Sequence, residues 1–427
     1  MQRPIKQKYY VLILIFMTAY PFLVLPFWNI YYVTLIKLVY LSLFVIIMWY
    51  FFIYQCFREK RLLGVLQTKG EKLAVLFFLL ICISTLFSQD PMVSFLGGLH
   101  KVQGLIAWFS YISLFLFTYI LIPINKQVNI IRLVVFASFF VGVYGIVQHF
   151  HLDSLTGKPV DRSFVKSWAV FDNANYFGTY LVIVIILAMT LYLSVESRRG
   201  YFIYWIIVST LFISLLYTTT RGAWIGAFSG VFILTVLLVW KRRDIWKRWA
   251  ILLFSLLFLL VIVNVSEDNY IFNRIFSIGE DANALVSEDD GDAGAGRWTL
   301  WKTSFPLIKD YYLIGSGPST FSIVYPTVAG ENKLHDNSHN EYLETAITLG
   351  VPALLVYLAL MFIILKSSLS TAKRLNGNEA IFAYGLIAAI IGYLVQTFFN
   401  VSVVTVAPFF WMVLGMSYAF SMSKRDT

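Results

Sequence analysis

His335-Asp-Asn-Ser-His-Asn-Glu-Tyr-Leu343 runs without a break into a hydrophobic stretch that continues to Leu365, long enough to cross a bilayer. Two histidines, acidic groups and small polar residues thus stand at the mouth of a membrane span. Titratable groups at that depth are costly and mark function. Working outward, the 427 residues are 59% apolar and 18% aromatic, with a mean hydropathy of +0.75. A soluble domain does not carry that composition. Segments of about 20 apolar residues fall at 8–27, 30–57, 73–88, 104–124, 128–148, 174–195, 201–217, 222–240, 249–265, 342–365, 379–399 and 401–421. The expectation is an all-α polytopic membrane protein of about twelve transmembrane helices, divided into helices 1–9 (residues 1–265), an external loop (266–340), and helices 10–12 with a cytoplasmic tail (341–427).

Charge sets the orientation. With the N-terminus in the cytoplasm, 22 of the 33 Lys/Arg residues fall on the inner side, giving +16 there and −6 outside. The positive-inside rule is satisfied loop by loop, so the net charge of +10 reports topology and calls for no nucleic acid. The protein is expected in the cytoplasmic (inner) membrane with both termini inside. Its two cysteines, Cys56 and Cys82, suggest neither a disulfide framework nor a thiolate metal site. The first 27 residues carry no small-residue cleavage site and read as an uncleaved helix.

The segment from Ser266 to Asn340 is too long for a simple connection. Its first half (Glu280, Asp281, Glu288, Asp289, Asp290, Gly291, Asp292) reads as a solvated acidic stretch, with ligand spacing poor for calcium. Its second half, Arg297 to Ile308, spaces aromatic and aliphatic residues helically around Lys302, as an interfacial amphipathic helix does.

The sixth, eighth and tenth spans all present their N-termini to the exterior, where free N–H groups and a partial positive charge favour anions. Each follows a distinctive sequence: F-D-N-A-N-Y-F-G (171–178), T-T-T-R-G-A-W (218–224) and H-D-N-S-H-N-E (335–341). Arg221 follows three threonines able to cap its helix, and its guanidinium suits bidentate contact with a phosphate; the alternative is an arginine snorkelling to lipid headgroups. Ser338 and Glu341 form S-x-x-E, a capping-box pattern. It would place His339 in the first helical turn, where the macrodipole keeps the ring neutral and able to accept a proton. His335 and His339 also form H-x-x-x-H, a zinc-ligand spacing, but the capping box puts His335 outside the helix, and no metal is expected.

The order R-G-A-W, then G-R-W-T-L-W-K, then L-I-G-S-G-P-S-T-F, then H-N-E-Y-L-E-T-A-I-T-L-G-V-P resembles the O-antigen ligase and polysaccharide polymerase superfamily of bacterial membrane glycosyltransferases, over roughly Phe171 to Pro352. The resemblance implies a GT-C-like helical fold with a large external loop between helices 9 and 10. It implies transfer of a glycan from an undecaprenyl-diphosphate carrier to an acceptor hydroxyl, inverting, without metal or other cofactor. It assigns Arg221, Arg297 and His339 as catalytic residues; His335 has no place in the family pattern. Asn340, His335, Asn175, Arg162 and Trp298 are the expected substrate contacts. The partners implied are a lipid-linked oligosaccharide, a glycan or lipid acceptor and membrane lipids. A protein O-oligosaccharyltransferase shares these motifs, so the sequence leaves the acceptor open. A transporter of lipid-linked glycans would carry charges in mid-span and paired half-repeats, and a scaffold would not need Arg221 and His339 at helix starts.

Overall fold

The computed structural model describes residues 3–24, 33–59, 66–98, 101–152, 166–241, 245–286, 296–326 and 335–423. Among these the regular elements are helices, as expected where the backbone must satisfy its own hydrogen bonds in hydrocarbon. In chain order they are α1 (Arg3–Ala19), α2 (Val33–Glu59), α3 (Lys69–Leu86), α4 (Pro91–Leu96), α5 (Leu105–Leu121), α6 (Ile124–His149), α7 (Ala174–Ser194), α8 (Arg198–Tyr217), α9 (Arg221–Lys241), α10 (Trp246–Ser266), α11 (Tyr270–Val286), α12 (Arg297–Asp310), α13 (Phe321–Val324), α14 (Glu341–Thr348), α15 (Val351–Ala372), α16 (Gly377–Thr397) and α17 (Ala407–Ser423).

Eight of the described helices are long and apolar enough to cross a membrane: α2, α6 to α10, α15 and α16. The other four expected spans coincide with α1, α3, α5 and α17, which are shorter at 17, 18, 17 and 17 residues. Large apolar side chains stand outward from the bundle, with Phe254 73% and Phe228 72% exposed. That surface is matched to lipid tails and would be an aggregation liability in water.

Helix α7 is buried along nearly its whole length and forms the hub of the bundle, against α9 and α16. Gly222, Gly226 and Gly230 recur every four residues on α9. A Cβ on Gly226 would come within 2.6 Å of the Gln396 Cβ and 2.8 Å of the Gly392 carbonyl oxygen. The small residues let the two backbones close together, which is how membrane helices gain packing without a hydrophobic drive between them.

The expected tenth span, 342–365, is corrected. It divides into the eight-residue α14 and the longer α15, parted at Gly350, whose φ of +88° only glycine adopts freely. Pro352 then starts α15. The acidic half of the long segment is also corrected in part: Glu280 and Asp281 lie within helix α11, while Glu288 to Asp292 fall outside the described residues. The expected amphipathic helix is present as α12. It buries Leu300, Ser304 and Leu307 and exposes Phe305.

Candidate active site at one end of the bundle

The starts of α7, α9 and α14 meet at the end of the bundle where α16 finishes. Asn400, just past α16, donates from Nδ2 to the Thr179 hydroxyl at 3.3 Å and accepts the Glu341 N–H at its carbonyl, 2.9 Å away. Gly222 of α9 packs against Phe399. The three motifs separated in sequence therefore share one neighbourhood.

Arg221 opens α9 after a tight turn. Thr219 has a left-handed φ of +52°, the Thr218 hydroxyl donates to the Leu215 carbonyl at 2.7 Å, and the Thr218 and Thr220 hydroxyls lie 2.8 Å apart. The threonine hydroxyls thus shape the turn that leads into the helix. Arg221 Nη1 donates to Ser277 Oγ on α11 at 3.1 Å. The same helix supplies Arg274, whose Nε is enclosed and has no hydrogen-bond partner among the described residues. Lys166 completes a cationic group, its ammonium pushed down first by burial and then by the fields of Arg274 and Arg221. A charge cluster with an unsatisfied guanidinium N–H is a site built for an anion.

His339 stands just before α14 with a left-handed φ of +52°, a conformation that costs a non-glycine residue energy and collects at functional sites. The expected capping box does not form. Asn340 is the N-cap, its Oδ1 accepting the Tyr342 and Leu343 N–H groups at 3.0 and 3.1 Å. The Glu341 carboxylate instead accepts the Ser402 N–H, and the Ser338 N–H donates to Glu344 at 2.7 Å. His339 is therefore outside the helix, and its backbone N–H donates to Asn337 Oδ1 at 2.8 Å. Its Nδ1 is enclosed and has no partner among the described residues. The ring is kept neutral by burial first, then by the positive fields of Lys101, Arg297 and His335, which together push its pKa down to about 3.

Helix α12 delivers Arg297 to this place. Gly296 turns the chain in at φ +74°, and one helical turn beyond Arg297 the Trp301 Nε1 donates to the Ser338 carbonyl at 2.8 Å. Trp301 also stacks edge-on against Phe398, ring centroids 5.4 Å apart. The helix is thereby latched to the loop that bears His339.

The remaining expected contacts separate. His335 meets the Tyr325 ring edge-on at 5.4 Å and stands within electrostatic reach of His339. Asn175 lies in the first turn of α7, its N–H donating to Asn173 Oδ1 at 2.7 Å. Trp298 is 39% exposed on α12. Asn340 spends its side-chain oxygen on the cap. Arg162 lies outside the described residues.

Four charged residues absent from the sequence-based set join the site: Arg274, Lys166, Lys101 and Asp172. Lys101, in the α4–α5 connection, has an enclosed Nζ without a hydrogen-bond partner among the described residues and faces Glu344, Asp336, Asp172 and Glu341 electrostatically. Asp172 is held by the Thr34 hydroxyl, with the buried Lys37 of α2 beside it donating to the Val170 carbonyl at 3.2 Å. Burial raises the Asp172 carboxyl. Asp172 lies within the F-D-N-A-N-Y-F-G motif already singled out, whereas no local pattern distinguishes Arg274, Lys166 and Lys101 from ordinary loop charges.

Compared with known proteins, residues 206–358 match the family described as O-Antigen ligase. That span contains Arg221, Arg274, Arg297 and His339. No curated protein matches the chain.

Proposed function

We propose that this chain, whose residues 206–358 match the O-antigen ligase family, transfers a glycan from an undecaprenyl-diphosphate carrier to an acceptor hydroxyl at the outer face of the cytoplasmic membrane, as a ligase or polymerase. The observation that carries this reading is a neutral, half-buried His339 with an enclosed, unpartnered ring nitrogen, set beside Arg297 and near a second cluster of Arg221, Arg274 and Lys166. A base and a group of fixed cations are what attack on a glycosyl diphosphate needs.

In the proposed step His339 takes the proton from the acceptor hydroxyl as its oxygen bonds the anomeric carbon. The bond from that carbon to the phosphate oxygen breaks with its electron pair, and the diphosphate leaves with inversion. Charge grows on the leaving oxygen, and positioned guanidinium groups stabilise it without reorganising. Arg221 and Arg274 suit this role because the planar fork holds two phosphate oxygens at once. A pKa near 3 makes His339 a weak base before substrate binds. The arriving diphosphate offsets the positive fields of Arg297 and Lys101, so donor binding raises the basicity of the ring when it is needed.

The twelve-span layout and the outward-facing site belong to this proposal, supported by the four shorter apolar helices and by the charge split of the loops. The test is transfer from a purified undecaprenyl-diphosphate oligosaccharide to a lipid-linked acceptor glycan, with wild-type protein and His339→Ala side by side. Transfer by the wild type and its loss in the variant are expected. Equal transfer by both overturns the assigned chemistry.

A further inference from the structure

A cavity of about 310 Å³ opens beside this site between the α4–α5 connection, the Pro318–Ser322 stretch and α14. It is not lined by His339, but Asp336 and Glu341, which flank that histidine in sequence, form part of its wall together with Lys101, Glu344, Gln103 and Trp108. Its volume lies at the small end for ligand pockets, enough for one ring and not for a chain.

The charges in this wall do not pair. Lys101 feels Glu344, Asp336 and Glu341, yet none of them forms a salt bridge with it among the described residues, and its Nζ makes no hydrogen bond. They line the same cavity, with Glu344 and Glu341 each accepting a backbone N–H, from Ser338 and Ser402. Buried polar groups are normally satisfied, and an enclosed ammonium opposite carboxyl groups is satisfied by a ligand that both donates and accepts. Sugar hydroxyls do both, and the indole of Trp108 offers an apolar wall for a ring face. The balance of charge is acidic, with three carboxyl groups against one ammonium. Burial pushes Glu341 up to about 7 and raises Glu344 as well, so even with both protonated Asp336 balances Lys101 and the wall is not cationic. A diphosphate finds no net attraction here and is drawn to Arg221, Arg274 and Lys166, so the donor's phosphate-bearing end lies elsewhere.

Resting on the transferase reading above, we propose that this cavity is the acceptor subsite. It holds the terminal sugar of the acceptor glycan, takes neutral or amino-bearing rings, and rejects uronic or phosphorylated ones. This places the acceptor's hydroxyl at the loop that carries His339.

The experiment is saturation-transfer NMR on the full-length protein in nanodiscs, with no donor present. The probes are methyl glycosides of gluco and galacto configuration, each as the neutral sugar, the 2-amino sugar and the uronic acid. At least one neutral or amino glycoside should bind, about tenfold or more tighter than the corresponding uronide, a difference of about 1.4 kcal/mol. Asp336→Asn with Glu344→Gln should reduce that ratio to about threefold or less, and Gln keeps the oxygen that the Ser338 N–H requires. Trp108→Ala should abolish binding; where that variant fails to fold, Gln103→Ala should weaken it. Binding of uronides as tight as neutral sugars, or binding of none of the probes, overturns the inference. A wild type that transfers glycan yet binds the probes without regard to charge refutes the subsite alone, whereas charge-ordered binding in a protein that transfers nothing refutes the transferase reading alone.

Discussion

His339 is where local strain, burial and charge converge, and two measurements follow from it. Removing a positioned base costs about 10² to 10⁴ in rate, so His339→Ala should lose transfer by that factor while reaching the membrane at normal level. The pH dependence has a definite sign. The folded-state pKa is about 3 against about 6.5 unfolded, so between those values the unfolded chain binds a proton that the folded chain does not. Stability contributed by the neutral ring is complete above about 6.5 and is lost as pH falls toward about 3. Glu341 opposes this: raised to about 7 from about 4.3 unfolded, it binds its proton in the folded state first. Between about 4.3 and 6.5 the two slopes cancel. His339→Gln should remove one of them, so that as pH is lowered from 7 to about 5 the variant's melting temperature rises relative to that of the wild type; parallel profiles would refute the assignment. The sequence singled out His339 because it stood in a polar run at a span's mouth. It mis-stated the reason, since S-x-x-E is a pattern two residues can satisfy in more than one way. Here Asn340 took the cap and Glu341 turned to Ser402.

At the scale of elements, the site depends on helices being held in register. Helix α9 sets Arg221, and its close approach to α16 leaves no room for a methyl group at Gly226, 2.8 Å from a backbone oxygen. Gly226→Ala should therefore destabilise the protein by about 1 to 3 kcal/mol, in the range of overpacking, and lower transfer with it. Helix α12 carries Arg297 and is latched by Trp301. Trp301→Phe keeps an aromatic ring against Phe398 but loses the bond to the Ser338 carbonyl, worth about 0.5 to 1.5 kcal/mol. Transfer should fall several-fold, with Lys302→Ala on the exposed face of the same helix close to neutral. The existence of these helices was legible from apolar periodicity, as α12 shows. Their breaks were not: α14 and α15 read as one span because the apolar run continues across Leu349, and only the φ of Gly350 parts them. Arg274 and Lys166 were invisible for a related reason. The Arg221 charge they gather around lies tens of residues away, and nothing local marks a cluster that only folding assembles.

For the whole molecule, the loop charges and the site make one joint demand, that the end bearing His339, Arg221 and α12 face away from the cytoplasm. Polyprenyl-linked glycans for the cell surface are the substrates proposed, and a site on the other side could not meet an acceptor there. The 22-to-11 division of Lys and Arg gives the direction, because cationic loops are retained on the cytoplasmic side. Asp310, exposed at the end of α12, and Asn376, exposed between α15 and α16, lie at opposite ends of the bundle by helix count. Both can be replaced with little effect on the core. In a background with Cys56 and Cys82 changed to serine, Asp310→Cys should react with a membrane-impermeant maleimide on intact cells, and Asn376→Cys only after the membrane is opened. The reverse pattern would turn the active site toward the cytoplasm. It would leave the helix packing as described but remove the surface acceptor from the proposal, because His339 would then meet only hydroxyls on the inner side.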